Sequence, residues 1–192
     1  WKGDKEAGFS APLTKLRAVA GIYSNYIQIV ASADSGIKTL ADLKGKRVAV
    51  GAPKSGTELN TRAILKGAGM SYQDLGKVEY LPFGESVELM KNRQLDATLI
   101  SAGLGVAAVR DLATAVKIVI VPIPTDVIAK IGDPAYQPAT IPANTYNGQT
   151  ADAATVAIPN FLVTHEGVSA DTVYAMTRSM FENLDQMVAA HA

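Results

Sequence analysis

"RVAVGAPKSGTELNTRAIL", residues 47–65, begins as an apolar run (Val48 to Val50), meets a glycine and a turn of small residues, and continues as a helix-like segment. A strand feeding a helix through such a turn leaves free N–H groups and the positive end of the helix dipole at the turn, which is the makings of an anion site. A nucleotide phosphate loop needs a lysine and a Ser or Thr directly after its last glycine. Here Gly56 is followed by Thr57 and Glu58, Lys54 precedes the glycine, and an acid at Glu58 would repel a phosphate. The nucleotide reading therefore fails at its most informative position, and the anion reading stands.

The pattern repeats downstream. Residues 77–83 ("KVEYLPF") are expected as a strand, 85–94 as a helix, 95–101 as a strand, 104–114 as a helix and 116–123 as a strand, with the first helix at 57–68. This β–α alternation argues for a parallel sheet with helices on its faces. Upstream, 16–32 reads as a strand, rich in β-branched and aromatic residues from Ile22 on. Downstream, 124–153 is rich in proline, glycine and asparagine, with only "DVIAKI" helical in pattern, and connections of that length are commonly either functional or misread elements. Residues 154–167 read as a strand interrupted by Pro159. Residues 169–192 read as one final helix capped by Ser169, with Val173, Met176, Met180, Leu184 and Met187 on a stripe expected to be core.

Composition narrows the function. The chain has 192 residues, 48% of them hydrophobic and 19% charged, which places it with globular proteins. Eighteen Lys+Arg balance eighteen Asp+Glu, which removes the simplest argument for nucleic acid or an anionic membrane surface as partner. The absence of cysteine excludes thiolate metal sites, disulfides and cysteine nucleophiles. The two histidines, His165 and His191, lie far apart, and neither has a nucleophile motif beside it, so no metal, no cofactor and no catalysis are expected. Glu85 and Glu88 flank a helix start, where acids complement the dipole, rather than forming a catalytic carboxylate pair.

In an open α/β sheet, ligands sit beyond the carboxyl ends of the strands. Three such ends are "GAPKSGT" (51–57), "LPFGES" (81–86) and "SAGLG" (101–105), all small, polar or glycine-rich. Converging helix N-termini there would make a rim of positive potential without charged side chains. Tyr23, in or just before the strand at 22–32, is a candidate ligand wall.

Several stretches resemble a known family. "GIY" (21–23), "DLKGKRV" (42–48), "SGTELN" (55–60), "AG" (102–103), "ATIPANTYNGQ" (139–149) and "FENLD" (181–185) occur in the order found in bacterial extracytoplasmic solute-binding proteins of type II periplasmic fold. More narrowly, they resemble the TAXI family, the solute receptors of certain TRAP transporters. Asn144 and Asn147 stand where that family usually has Gly and Pro, Lys54 where many relatives have Gly, and Gly105 where many have Pro. The resemblance implies an α/β fold of two lobes with mainly parallel sheets, joined by two crossing segments, with 1–34 and 156–192 in a first lobe and 35–155 in a second. It implies a small carboxylate solute, glutamate-like or a dicarboxylate, held between the lobes by Tyr23, Ser55, Gly56, Thr57, Asn60, Phe83, Ser101, Ala102 and Gly103. It also implies delivery to TRAP membrane subunits and a periplasmic location. An effector-sensing domain of a transcription regulator with the same fold is the alternative. Against the family pattern the chain is expected to lack flanking segments at both ends, so that either the missing parts are present as a separate chain or a first lobe so shortened self-associates.

Overall fold

The computed structural model describes residues 2, 3, 5 and 8–191. The chain divides into two compact units, Trp1–Tyr23 with Pro159–Ala192, and Ser24–Ile158. Two strands, β1 (Leu16–Ser32) and β7 (Ala153–His165), carry the chain from one unit into the other.

The larger unit contains the β–α alternation. Strand β2 (Arg47–Ala49) leads to helix α1 (Gly56–Gly67), β3 (Lys77–Glu79) to α2 (Phe83–Lys91), β4 (Ala97–Ala102) to α3 (Ala107–Ala115), and β5 (Ile118–Val121) to α4 (Thr125–Ile131). The sheet order is β3-β2-β4-β1-β7-β6, where β6 is Gln137–Ile141, and β5 also pairs with β1. β2 is parallel to β3 and β4. β1 is antiparallel to both β4 and β5, with Ile29 opposite Leu99 on one side and Val121 on the other. The four strands of the repeating units therefore run in one direction, with an inverted strand between the last two. The fold is a mixed α/β sheet flanked by helices.

Side-chain alternation along the central strands divides the core into two layers. Ile27, Ile29, Ala31, Ala97 and Leu99 pack with Ile64 and Leu65 of α1 and Val127 and Ile128 of α4. Val30 and Ile100 join Val87 and Met90 of α2 and Val109 and Leu112 of α3. Where α1 meets α4 a side chain cannot fit: a Cβ at Gly67 would lie 2.7 Å from the Val127 carbonyl oxygen. Fully burying one such aliphatic side chain contributes about 1.5–3 kcal/mol, so this two-sided sheet is the main source of stability.

β1 spans Leu16–Ser32, the stretch expected as strand. Several other sequence expectations change. The expected strand 77–83 is ordered as strand only over Lys77–Glu79, and α2 starts earlier, at Phe83, with Pro82 preset as its N-cap at φ −60°. Within the loop-like 124–153, β6 forms against β7, Gln137 opposite Ala157 and Ile141 opposite Ala153. β7 runs without interruption through Pro159. The final helix is two helices, α5 (Ala170–Glu182) and α6 (Leu184–His191), divided at Asn183, whose φ −123° and ψ 35° leave the helical region.

The methionine stripe departs furthest from expectation. Among the described residues, every buried one lies between 27 and 156, so the smaller unit contributes none. Met176 is 54% exposed and Met187 38%; Phe161 and Phe181 are more than half exposed as well. The stripe exists at helical spacing but is not core. Ser169 does cap α5, its hydroxyl accepting from the Thr172 N–H at 3.2 Å, and Arg17 pairs with Glu166 at 2.8 Å within the same unit.

One polar contact fixes the bottom of the sheet. Asp96, just before β4, accepts from the Arg47 backbone N–H at 2.8 Å, from its Nε at 3.1 Å and from Nη2 at 2.6 Å. The Arg47 side chain, ahead of the backbone bond, holds the Asp96 carboxyl below its usual value of 3.8. A lowered folded-state value means the contact stabilises fully above about pH 4 and is lost as pH falls through the lowered value. Asp96→Asn is expected to cost about 1–3 kcal/mol in urea unfolding at pH 7, with the difference from the parent shrinking below pH 4. A pH-independent difference would contradict this assignment.

Candidate functional site

The site lies at the carboxyl ends of β2, β3 and β4 in the larger unit, where α1, α2 and α3 begin. Ser55 is the N-cap of α1, and its Oγ accepts from the Glu58 N–H at 3.2 Å. That cap satisfies one helix-end donor. Among the described residues, the N–H groups of Gly56 and Thr57 have no acceptor, as the geometry of a helix start dictates. They are the free donors that the sequence pattern implied.

The loop before them is held in an unusual shape. Lys54 sits at φ 60°, in the left-handed region that costs an L-residue roughly 1–2 kcal/mol. Its side chain is exposed, so an ammonium group stands on the loop that leads into the α1 N-terminus. The acid expected to oppose an anion is neutralised. Glu58 is buried, receives Arg62 Nε at 2.6 Å, and accepts from the Tyr72 hydroxyl at 2.9 Å. Burial, ahead of the bond to Glu58, pushes the Tyr72 phenol well up, so it stays protonated and donating. The first-turn carboxylate is thus consumed by α1 and its own neighbours.

Asn60 and Ser101 meet. Asn60 Nδ2 donates to Ser101 Oγ at 3.0 Å, and the Tyr136 hydroxyl donates to Asn60 Oδ1 at 2.9 Å. This chain ties α1 to the end of β4. Burial raises the Tyr136 phenol to about 12, which keeps its proton in place at any physiological pH. Ala102 and Gly103 are held from below by Gln28 of β1, whose Nε2 donates to their carbonyls at 3.3 and 3.2 Å. Phe83 opens α2 and packs half-buried against the second core layer. Tyr23 lies in the smaller unit and is 43% exposed.

The structure therefore gathers Ser55, Gly56, Thr57, Asn60, Ser101, Ala102 and Gly103 at one end of the larger unit. Three participants escaped the sequence reading. Gln28 carried a legible signal, a lone amide in the apolar run "YIQIVAS". Tyr146, whose hydroxyl donates to Gln28 Oε1 and accepts from the Gly105 N–H at 3.1 Å, sits inside the "ATIPANTYNGQ" stretch without having been assigned a task. Tyr136, in a turn-rich connection, carried no signal.

Residues 1–192 match the sequence profile of the NMT1-like family from end to end. The chain belongs to the NMT1-like family. Its fold is that of the periplasmic binding proteins. One similar structure is an ancestral arginine-binding protein bound to arginine, at 19% identity and a TM-score of 0.50, covering 92% of this chain and 64% of that one. A protein of Bordetella bronchiseptica RB50 is similar at 19% identity and a TM-score of 0.51, covering 85% of this chain and 46% of the other. The periplasmic aliphatic sulphonate binding protein of Escherichia coli aligns at 16% identity with a TM-score of 0.49, over 93% of this chain and 47% of its own. This NMT1-like chain thus spans about half to two thirds of the length of these structures.

The loop tolerates no side chain at Gly51. It sits at φ +97°, and an added Cβ would lie 2.7 Å from Thr57 Cγ2 and 2.9 Å from the Glu58 nitrogen. Gly51→Ala is expected to displace the first turn of α1 and cost about 1–3 kcal/mol of stability, read by thermal unfolding. A variant as stable as the parent would show that the loop is not held as described.

Proposed function

We propose that this NMT1-like protein is an extracytoplasmic solute receptor that binds a small carboxylate, glutamate-like or a dicarboxylate, and delivers it to a TRAP-type membrane transporter. The observation that carries the reading is the pair of unpartnered N–H groups at Gly56 and Thr57, at the carboxyl end of β2, with the one acid of that helix turn tied up by Arg62 and Tyr72. A carboxylate oxygen satisfies both donors, and the helix dipole adds to the attraction. The Asn60–Ser101 pair adds polar groups from a second strand end. The fold of the periplasmic binding proteins supports a solute-binding role, and the TAXI-like stretches support the carboxylate and the TRAP partner. In this reading Phe83 adds aromatic surface. The protein binds and releases; it performs no chemistry.

Among the described residues no helix is long and apolar enough to cross a membrane.

Calorimetry with glutamate, succinate and ATP tests the reading. Thr57 is 8% exposed, and its hydroxyl lies at the first turn of α1. A hydrogen bond to a charged group contributes about 1.5–3 kcal/mol, so Thr57→Val should weaken a carboxylate about tenfold or more while unfolding at nearly the parent temperature. Unchanged affinity removes the Thr57 hydroxyl from the site and leaves only its backbone N–H as donor. ATP binding tighter than either carboxylate overturns the proposal.

A further inference from the structure

Ser55 and Glu58 carry the residue pattern of a capping box, a serine at the N-cap with an acid three positions on. In the closed form the serine oxygen accepts from the N–H of the acid, and the acid reaches back to the N–H of the cap. Two other turns among the described residues close it. The Thr39 N–H donates to Asp42 Oδ2 at 2.8 Å, and the Ser71 N–H donates to Asp74 Oδ2 at 2.8 Å. At α1 only the serine half forms. Ser55 Oγ accepts from the Glu58 N–H at 3.2 Å, but the Ser55 N–H goes to the Ala52 carbonyl at 3.1 Å, and the Glu58 carboxylate is turned elsewhere.

Two side chains turn it. Arg62, one turn further along α1, donates Nε to Glu58 Oε1 at 2.6 Å, and the Tyr72 hydroxyl donates to the same oxygen at 2.9 Å. The guanidinium carbon of Arg62 lies 5.5 Å from the centre of the Tyr72 ring, so the three side chains brace one another. Tyr80 meets the Tyr72 ring edge-on, with ring centres 6.1 Å apart. Glu58 is 2% exposed, so its carboxylate depends on these partners rather than on water. What the carboxylate leaves behind is unspent. The N–H groups of Gly56 and Thr57 have no acceptor, and the Thr57 hydroxyl, on a side chain 8% exposed in the same turn, has no partner among the described residues.

We propose that Arg62 and Tyr72 are positioning residues that hold the α1 capping box open for the oxyanion of the solute. This rests on the solute-receptor reading and deepens it, because it names what keeps the protein's own carboxylate from competing for the site. An acid in the first turn of a helix is drawn to the unpaired N–H groups there. Released from Arg62 or Tyr72, Glu58 swings back to the donors of Gly56 and Thr57, and a ligand must then displace it against its charge. Neither residue needs to touch the solute; both act through Glu58.

Calorimetry with succinate and amide NMR of the ligand-free protein test this on Arg62→Met and Tyr72→Phe, each made in the parent and in Glu58→Met. Methionine keeps much of the side-chain volume and carries neither charge nor cap. Arg62→Met is expected to weaken succinate about tenfold and to shift the Gly56 and Thr57 amides before any ligand is added. In Glu58→Met the same substitution should change affinity by less than about twofold and leave those amides in place, because no carboxylate is left to withhold. Tyr72→Phe keeps the ion pair and the ring, and it serves where Arg62→Met fails to fold. It should unfold near the parent temperature and weaken succinate about two- to fivefold, again only with Glu58 present. An equal loss with and without Glu58 overturns the inference, since the two residues then act on the anion directly or on the fold. Unchanged affinity in both variants, or Gly56 and Thr57 amides unmoved in ligand-free Arg62→Met, overturns it and leaves the receptor reading standing. A parent that binds no succinate removes the receptor reading; shifted amides in ligand-free Arg62→Met would still support the withholding of Glu58.

Discussion

Strand β1 is the constraint from which the larger unit is built. From Ile27 to Ala31 it is buried, and from Ile29 to Ala31 it is paired along both edges, so every backbone and side-chain group there must find a partner inside the protein. Its apolar side chains supply both core layers. Its one polar side chain, Gln28, cannot reach water and is bonded to the turn after β4 and to Tyr146. The Ile27 carbonyl takes a further bond from the Thr155 hydroxyl on β7. The same strand therefore stabilises the fold and fixes the geometry of the candidate site, and neither can shift without the other.

The electrostatics of the site follow from removal of negative charge rather than addition of positive charge. The chain is neutral overall. Around α1 the acid is buried against Arg62 and Tyr72, while Asp96 is bound to Arg47 at the opposite strand ends. What remains at the ends of β2 and β4 is backbone N–H, hydroxyl and amide, with Lys54 on the loop, while the exposed Glu85 stands in the first turn of α2. Such an arrangement holds a small anion through directional donors, which read its shape as well as its charge.

The sequence showed the β–α units because their apolar runs and turn glycines are local signals. It also showed where the loops lie: Asn144 standing for a glycine, here at φ 64°, and the small-residue ends of β2 and β4. It did not show that β1 inserts between β4 and β5 in the opposite direction, since a run of β-branched residues names no neighbour. β6 was hidden by the prolines around it. The stripe Val173, Met176, Met180 was legible as a helix face, but periodicity gives the face without what covers it, and here it is open. In the site, Gly56, Thr57 and Ser101 were legible because turn chemistry is local. The tasks of Gln28, Tyr136 and Tyr146 were not, because each acts on a residue more than seventy positions away.

The central claim is that the backbone donors opening α1 are the anion-binding groups. Amide NMR of the isotopically labelled protein, titrated with succinate, tests it most directly. The account predicts saturable shifts of the Gly56 and Thr57 amides, with Gly103 and Gly105 following, and none of comparable size when cadaverine replaces succinate. Saturable binding that leaves Gly56 and Thr57 unmoved while shifting amides elsewhere would contradict it.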